Sequence, residues 1–117
     1  EEAEVDILYI TTAVNNLLNN AVKYSKNTPE IRLEAYSTDE RVIIKVADRG
    51  IGISRSDQRN IFEKFYRVST GNIHHTKGLG LGLYYVHKIA EAHGGSVSVS
   101  SKKGKGSVFI LDIPKTI

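Results

Sequence analysis

The sequence predicts an α+β fold, a two-layer sandwich with helices packed on one face of a sheet. Two observations carry that prediction. Apolar residues recur at helical spacing in two long segments, and four short segments show strand-like alternation or β-branched runs. Their order along the chain is helix, two strands, short helix, loop, helix, two strands. With 117 residues there is room for one compact domain with a real core and little room for two. No repeat, linker or low-complexity tract divides the chain, so residues 1–117 read as one domain.

The first helix is expected from Asp6 to about Tyr24. Ile7, Ile10, Val14, Leu17 and Ala21 form one buried stripe, and Asp6 suits the positive end of the helix. Asn27-Thr28-Pro29 ends it. Two strands follow, Ile31–Ser37 and Arg41–Ala47, joined by Thr38-Asp39-Glu40. In the first, Ile31, Leu33 and Ala35 alternate with Arg32, Glu34 and Tyr36, which predicts one core-facing side. The second is richer in β-branched residues from Val42 to Val46 and is expected nearer the sheet centre. Ser54 to Lys64 reads as a short helix capped by Ser54, with Ile61, Phe62 and Phe65 anchoring its end. Val68 to Lys77 is polar, lacks periodicity and reads as a mobile loop. After Gly78 a second long helix is expected to about His93, burying Leu83, Val86, Ile89 and Ala90 and stopped by Gly94-Gly95. Ser96–Ser101 and Ser107–Ile113 form a final hairpin about Lys102–Gly106, and Pro114 closes the domain.

Composition narrows the function classes. The formal charge of +3, from 16 Lys+Arg against 13 Asp+Glu, is too slight to demand nucleic acid but suits a small polyanion such as a nucleotide. Lys102, Lys103 and Lys105 sit beside glycines and read as a solvated turn. The absence of cysteine excludes disulfides and thiolate metal sites. No apolar run approaches the roughly 18–20 residues a membrane span needs, and no signal-peptide pattern opens the chain. There is no starting methionine, so Glu1 reads as a cut point inside a larger protein or a processed end.

Three segments carry candidate chemistry. Asn15-Asn16-Leu17-Leu18-Asn19-Asn20 is unusual inside a helix, because asparagine amides compete for backbone hydrogen bonds. Asn16 and Asn20 share a face that Lys23 and Tyr24 continue. An amide oxygen can ligate a hard cation such as magnesium, an ammonium can hold a phosphate, and a phenol can lie along a base. Any single Asn is more simply a polar helix flank; the whole constellation is poorly explained that way. Asp48-Arg49-Gly50-Ile51-Gly52 follows a strand, where a carboxylate can accept a hydrogen bond from an exocyclic amine and glycines admit a flat ring. Alone this is a turn. Gly78-Leu79-Gly80-Leu81-Gly82-Leu83 opens the second long helix and offers N–H donors and a favourable dipole to phosphate. Its spacing is neither that of a P-loop nor G-x-G-x-x-G, since Leu83 stands where the last glycine would fall. A flexible hinge is the plainer account of the same glycines.

These segments, in this order, resemble the N-box (Asn16–Asn20 with Lys23 and Tyr24), first glycine box (Asp48-x-Gly50-x-Gly52), F-box (Phe62-Glu63-Lys64-Phe65-Tyr66-Arg67) and second glycine box (Gly78-x-Gly80-Leu81-Gly82-Leu83) of histidine-kinase catalytic domains. His93-Gly94-Gly95, then Gly104-Lys105-Gly106-Ser107-Val108-Phe109 and Pro114, is similar to that family's last hairpin. The resemblance covers nearly the whole chain. It implies the ATP-binding sandwich of that superfamily, with a mixed sheet and residues 67–77 as an ATP lid. It also implies ATP and Mg2+ as cofactors. Asn20 is expected to ligate magnesium, and Asn16 and Lys23 to stand near the phosphates as the catalytic pair. Tyr24 and Asp48 are expected to hold adenine, with Gly50, Gly52 and Ile53 beside the base and Phe62, Phe65 and Tyr66 flanking the lid. Gly78, Leu79, Gly80, Leu81, Gly82 and Leu83 are expected to wrap the triphosphate, with Lys77 or Arg67 as charge partners. Leu79 departs from the pattern, which often has a small hydroxyl residue there. Only Glu1–Val5 precede the first helix, so the family's first strand is expected to be missing or clipped.

The superfamily's hydrolases and serine kinases resemble one another in placing glutamate where this chain has Asn16. An amide cannot accept a proton at neutral pH, so hydrolysis is disfavoured and transfer to an imidazole, already nucleophilic when neutral, is favoured. None of His74, His75, His87 and His93 lies in a helix with the acidic neighbour typical of the family's phosphoacceptor. The acceptor helix, on a dimerisation domain of a homodimeric parent, is therefore expected before residue 1, and a response-regulator receiver domain downstream. The resemblance further implies a cytoplasmic domain, with or without an inner-membrane anchor in the parent, that binds no nucleic acid directly. An ATPase or serine kinase of the same superfamily and a catalytically silent nucleotide-binding module are the alternatives. The lid is expected to be unordered without nucleotide.

Overall fold

The computed structural model describes residues 7–24, 30–64, 66 and 82–115. The elements are α1 (Ile7–Lys23), β1 (Ile31–Ser37), β2 (Arg41–Asp48), α2 (Arg55–Gln58), α3 (Gly82–Ala92), β3 (Ser96–Lys102) and β4 (Gly106–Pro114). They form an α+β sandwich whose four strands lie in the order β1-β2-β4-β3. Among the described residues every strand pairing is antiparallel, which corrects the expected mixed sheet. The reason is topological. The α2–α3 crossover returns the chain to β3 in the direction of β2, but β4 inserts between them, so the two like-directed strands never pair.

Local chemistry sets each turn. Thr38 Oγ1 accepts the amides of Glu40 (3.3 Å) and Arg41 (3.0 Å), which tightens the β1–β2 hairpin. Gly94, at φ 75°, takes the left-handed position after α3, and the Gly95 amide donates to Ala90 O at 2.8 Å. At α2, Ser54 is the N-cap, and its side chain accepts the Asp57 amide at 3.2 Å. The helix expected to run to Lys64 stops at Gln58. Asn60 donates through its amide to Ser56 O, and the bonds Asn60 N to Asp57 O and Glu63 N to Asn60 O make tight turns instead of helix. Those turns carry Ile61 into the core and set Phe62 edge-on to Phe109, with ring centroids 6.2 Å apart.

The core lies between the sheet and the two long helices. Val42, Ile44, Val46 and Asp48 alternate onto one face of β2, and register places them opposite Ile113, Leu111, Phe109 and Ser107 of β4. Leu17 and Ala21 of α1 and Val86 and Ala90 of α3 close over that face, and Leu17, Val86 and Ala90 are fully buried. Two expectations need correction. Ile7 is 77% exposed, because the α1 stripe first reaches the core at Ile10. Leu33 is 50% exposed and Ala35 is also exposed. They are inner-face residues of an edge strand, while α1 lies mainly over β2 and α3 over β3 and β4. Among the described residues no helix is long and apolar enough to cross a membrane.

Candidate functional site

Asp48 ends β2 on the helix-covered face and is only 8% exposed. Its Oδ1 accepts the Gly50 amide at 2.8 Å, and the amide of Ser107, its register partner on β4, also donates to the carboxylate. Burial pushes the carboxyl pKa above its ordinary value, and the two amide donors oppose that shift. An ionised carboxylate offers about four lone-pair sites, so two amides leave it able to accept from an external donor.

The turn after Asp48 is locked from both sides. Ile51 N donates to Tyr24 O at 3.1 Å at the end of α1, and Ile51 O accepts the Gly104 amide of the β3–β4 turn at 2.7 Å. A Cβ on Gly50 would lie 2.1 Å from Tyr24 O, and one on Gly52, at φ 75°, would lie 2.2 Å from Lys102 O. On Gly106, at φ 104°, it would lie 2.1 Å from Asp48 O. The close approach these glycines allow is that of α1 and the hairpin. Ile53 is held in turn: its amide donates to Ser101 Oγ at 2.8 Å and its carbonyl accepts Gln58 Nε2 at 2.7 Å. Ser101 Oγ also meets Ser107 Oγ at 2.7 Å. Ser101, Ser107 and Gln58 therefore support the site, although none stands out in the sequence. Their one signal is the strand register, which places Ser107 opposite Asp48.

Asn16, Asn20, Lys23 and Tyr24 are half-buried along one flank of α1 and its end. Asn16 Nδ2 donates to Gly82 O at 3.4 Å, linking α1 to the start of α3, and Lys23 Nζ lies 5.5 Å from the Tyr24 ring centroid. Leu83, next along α3, packs against the core. A pocket of about 740 Å³ opens beside Asp48, between Ile53–Gln58 and the β3–β4 hairpin. Asn16, Asn20, Lys23 and Tyr24 lie outside its lining. The structure thus joins Tyr24, Gly50, Asp48, Gly52 and Ile53 through contiguous contacts, and Asn16 with Gly82, as two adjoining pieces. Phe65, Arg67, Lys77, Gly78, Leu79, Gly80 and Leu81 lie outside the described residues, as do His74 and His75. At the foot of that segment, Tyr66 donates its hydroxyl to Asp57, which raises the phenol pKa. Among the described residues no group of three or more His, Asp or Glu could hold a metal ion.

This arrangement has known relatives. Residues 5–117 match the model of the histidine kinase-, DNA gyrase B- and HSP90-like ATPases, and the chain belongs to that family. Within it, the relatives are sensor histidine kinases. Sensor protein RprX of Bacteroides fragilis is 41% identical over 111 residues, which are 93% of this chain and 21% of that protein. The catalytic domain of histidine kinase ThkA superposes with a TM-score of 0.81 at 30% identity, covering 97% of this chain and 71% of that one. Full-length ShkA in complex with AMPPNP gives a TM-score of 0.78 at 32% identity, covering 93% of this chain and 22% of that one. The chain spans 18–28% of the length of these curated relatives. It is an ATP-binding domain of the sensor histidine kinase type, with the α+β fold of those catalytic domains.

Proposed function

We propose that this domain binds MgATP and donates the γ-phosphoryl group to a histidine on a separate dimerisation domain of a homodimeric parent. The observation that supports the adenine end is Asp48, a buried carboxylate at a strand end with acceptor capacity beyond its two backbone amides. The exocyclic amine of adenine donates to it, Tyr24 lies along the base, and Gly50, Gly52 and Ile53 form the wall. Asn16 and Lys23 orient the phosphates, and the glycines from Gly78 to Gly82 with Leu79, Leu81 and Leu83 wrap them, with Arg67 or Lys77 as charge partners. Asn20, half-buried on the α1 flank that it shares with Asn16, would supply one hard amide oxygen to magnesium, whose other ligands would be waters and phosphate oxygens. ATP supplies the phosphoryl group. The protein's own contribution is positioning and charge neutralisation.

Asn16 cannot act as a general base, which favours transfer over hydrolysis. That the AMPPNP complex of ShkA shares this fold supports the nucleotide reading. A receiver domain of a response regulator is the downstream partner. The working place is the cytoplasm, with any inner-membrane anchor elsewhere in the parent. The test is to incubate the domain with magnesium and γ-labelled ATP, with and without the parent's dimerisation segment. Acid-labile, base-stable label on that segment, with little phosphate released by the domain alone, is expected. Rapid phosphate release by the domain alone identifies an ATPase instead, and acid-stable label a serine kinase.

A further inference from the structure

Ser101 stands where three short contacts meet, and the hydrogens they need can be counted. Its Oγ lies 2.8 Å from the Ile53 amide, 2.8 Å from Gly106 O and 2.7 Å from Ser107 Oγ. Two oxygens that close repel unless a hydrogen lies between them. The Ile53 amide brings its own hydrogen. A carbonyl has none to give, so the single Ser101 proton goes to Gly106 O. The hydrogen of the remaining contact therefore comes from Ser107, whose hydroxyl donates to Ser101. With its proton committed, Ser107 Oγ can only accept from anything else. Ser107 is 5% exposed, lies opposite Asp48 in the β2–β4 register and gives its amide to that carboxylate. Asp48, Ile53, Ser101 and Ser107 line one pocket.

We propose that Ser101 is a positioning residue for base selection: by holding the Ser107 proton, it leaves Ser107 Oγ and the ionised Asp48 carboxylate as acceptors only. This deepens the nucleotide reading above and rests on it. A purine amino group carries two hydrogens and suits two acceptors, directly or through one water. An oxo group in the same place sets lone pairs against lone pairs and leaves buried acceptors unpaired, which is a strong means of rejection. Ser101 does this without touching the base. Its bond to the Ile53 amide fixes the neighbouring wall at the same time. Ser101→Ala frees the Ser107 hydroxyl to turn its proton toward the pocket, where it can meet an oxo group.

The experiment is calorimetric titration of the chain, Ser101→Ala and Ser101→Thr with non-hydrolysable ATP and GTP analogues, with magnesium at neutral pH. The unsubstituted chain is expected to prefer the ATP analogue. Ser101→Ala is expected to narrow that preference roughly three- to tenfold, the worth of one hydrogen bond. Ser101→Thr, which keeps the hydroxyl, is expected to restore it. A purely structural role lowers both affinities together and leaves their ratio alone. That result, or a Ser101→Thr variant as permissive as Ser101→Ala, overturns the proposal and leaves the nucleotide site standing. A neutron structure of the unsubstituted chain needs no variant and reads the proton directly. A Ser107 deuteron between the two hydroxyls is expected, and one turned toward Asp48 or the pocket overturns the proposal. No binding of either analogue by the folded, unsubstituted chain overturns the nucleotide reading and the proposal with it.

Discussion

Asp48 concentrates the chemistry at the residue scale. Its carboxyl pKa is raised by burial, so the folded state takes up a proton at a higher pH than the unfolded chain. The stability linked to that proton is present in full below the unfolded pKa and is lost as pH rises through the folded one. Asp48→Asn, which removes the buried charge and keeps an acceptor, is therefore expected to be at least as stable as the parent at neutral pH in urea melts. A clear loss of stability would show that the two amides outweigh desolvation. Nucleotide affinity takes the opposite sign, because the ionised carboxylate is the stronger acceptor. Affinity for an ATP analogue is expected to fall as pH drops from neutral through the raised pKa, while the residual affinity of Asp48→Asn stays flat there. Asp48 was legible only through the set of motifs that the chain shares with its family, since its place between a strand and Gly50-Ile51-Gly52 alone reads as a turn. Ser107 and Ser101 were not, because a serine in a hairpin carries no chemical signature until the register sets it against a carboxylate.

At the scale of elements, the glycines are the parts that tolerate least. Gly50→Ala and Gly106→Ala each drive a Cβ to 2.1 Å of a carbonyl oxygen, and Gly106 also sits at φ 104°. Each is expected to cost about 2 kcal/mol or more in chemical denaturation. Gly104→Ala has a positive φ of 85° but open space around it, and should cost less. Ser54→Ala removes the α2 cap and is expected to cost about 1 kcal/mol. A Gly104 variant as damaged as the Gly50 variant would contradict this ranking. The strands and long helices were readable because periods of two and 3.6 run through them with few breaks. The α2 helix was overextended because Ile61 and Phe62 fit a helical face equally well. Only the Asn60 hydrogen bonds reveal that turns deliver them to the core.

Across the whole molecule, the pattern of apolar residues set the fold class but not how far the helices cover the sheet. Leu17 and Leu33 both belong to predicted inner faces, yet one is fully buried and the other 50% exposed. Leu17→Ala is expected to cost about 2–5 kcal/mol, and Leu33→Ala well under about 1 kcal/mol, by thermal or urea unfolding. Comparable losses would mean that β1 is covered as the alternation alone suggests. The like-directed β2 and β3 were also indistinguishable from neighbours in the sequence. Strand direction follows from connection lengths, whereas the insertion of β4 between them follows from tertiary packing. The insertion matters for the site, since it places Ser107 and the lysine hairpin beside Asp48.

The most direct test of the central claim is calorimetric titration of this domain with a non-hydrolysable ATP analogue, with and without magnesium, alongside Asp48→Asn. Magnesium-sensitive binding by the parent, and its loss in a variant that remains folded, is the predicted result. A folded parent that binds no analogue, or an Asp48→Asn variant that binds as tightly as the parent, would contradict it.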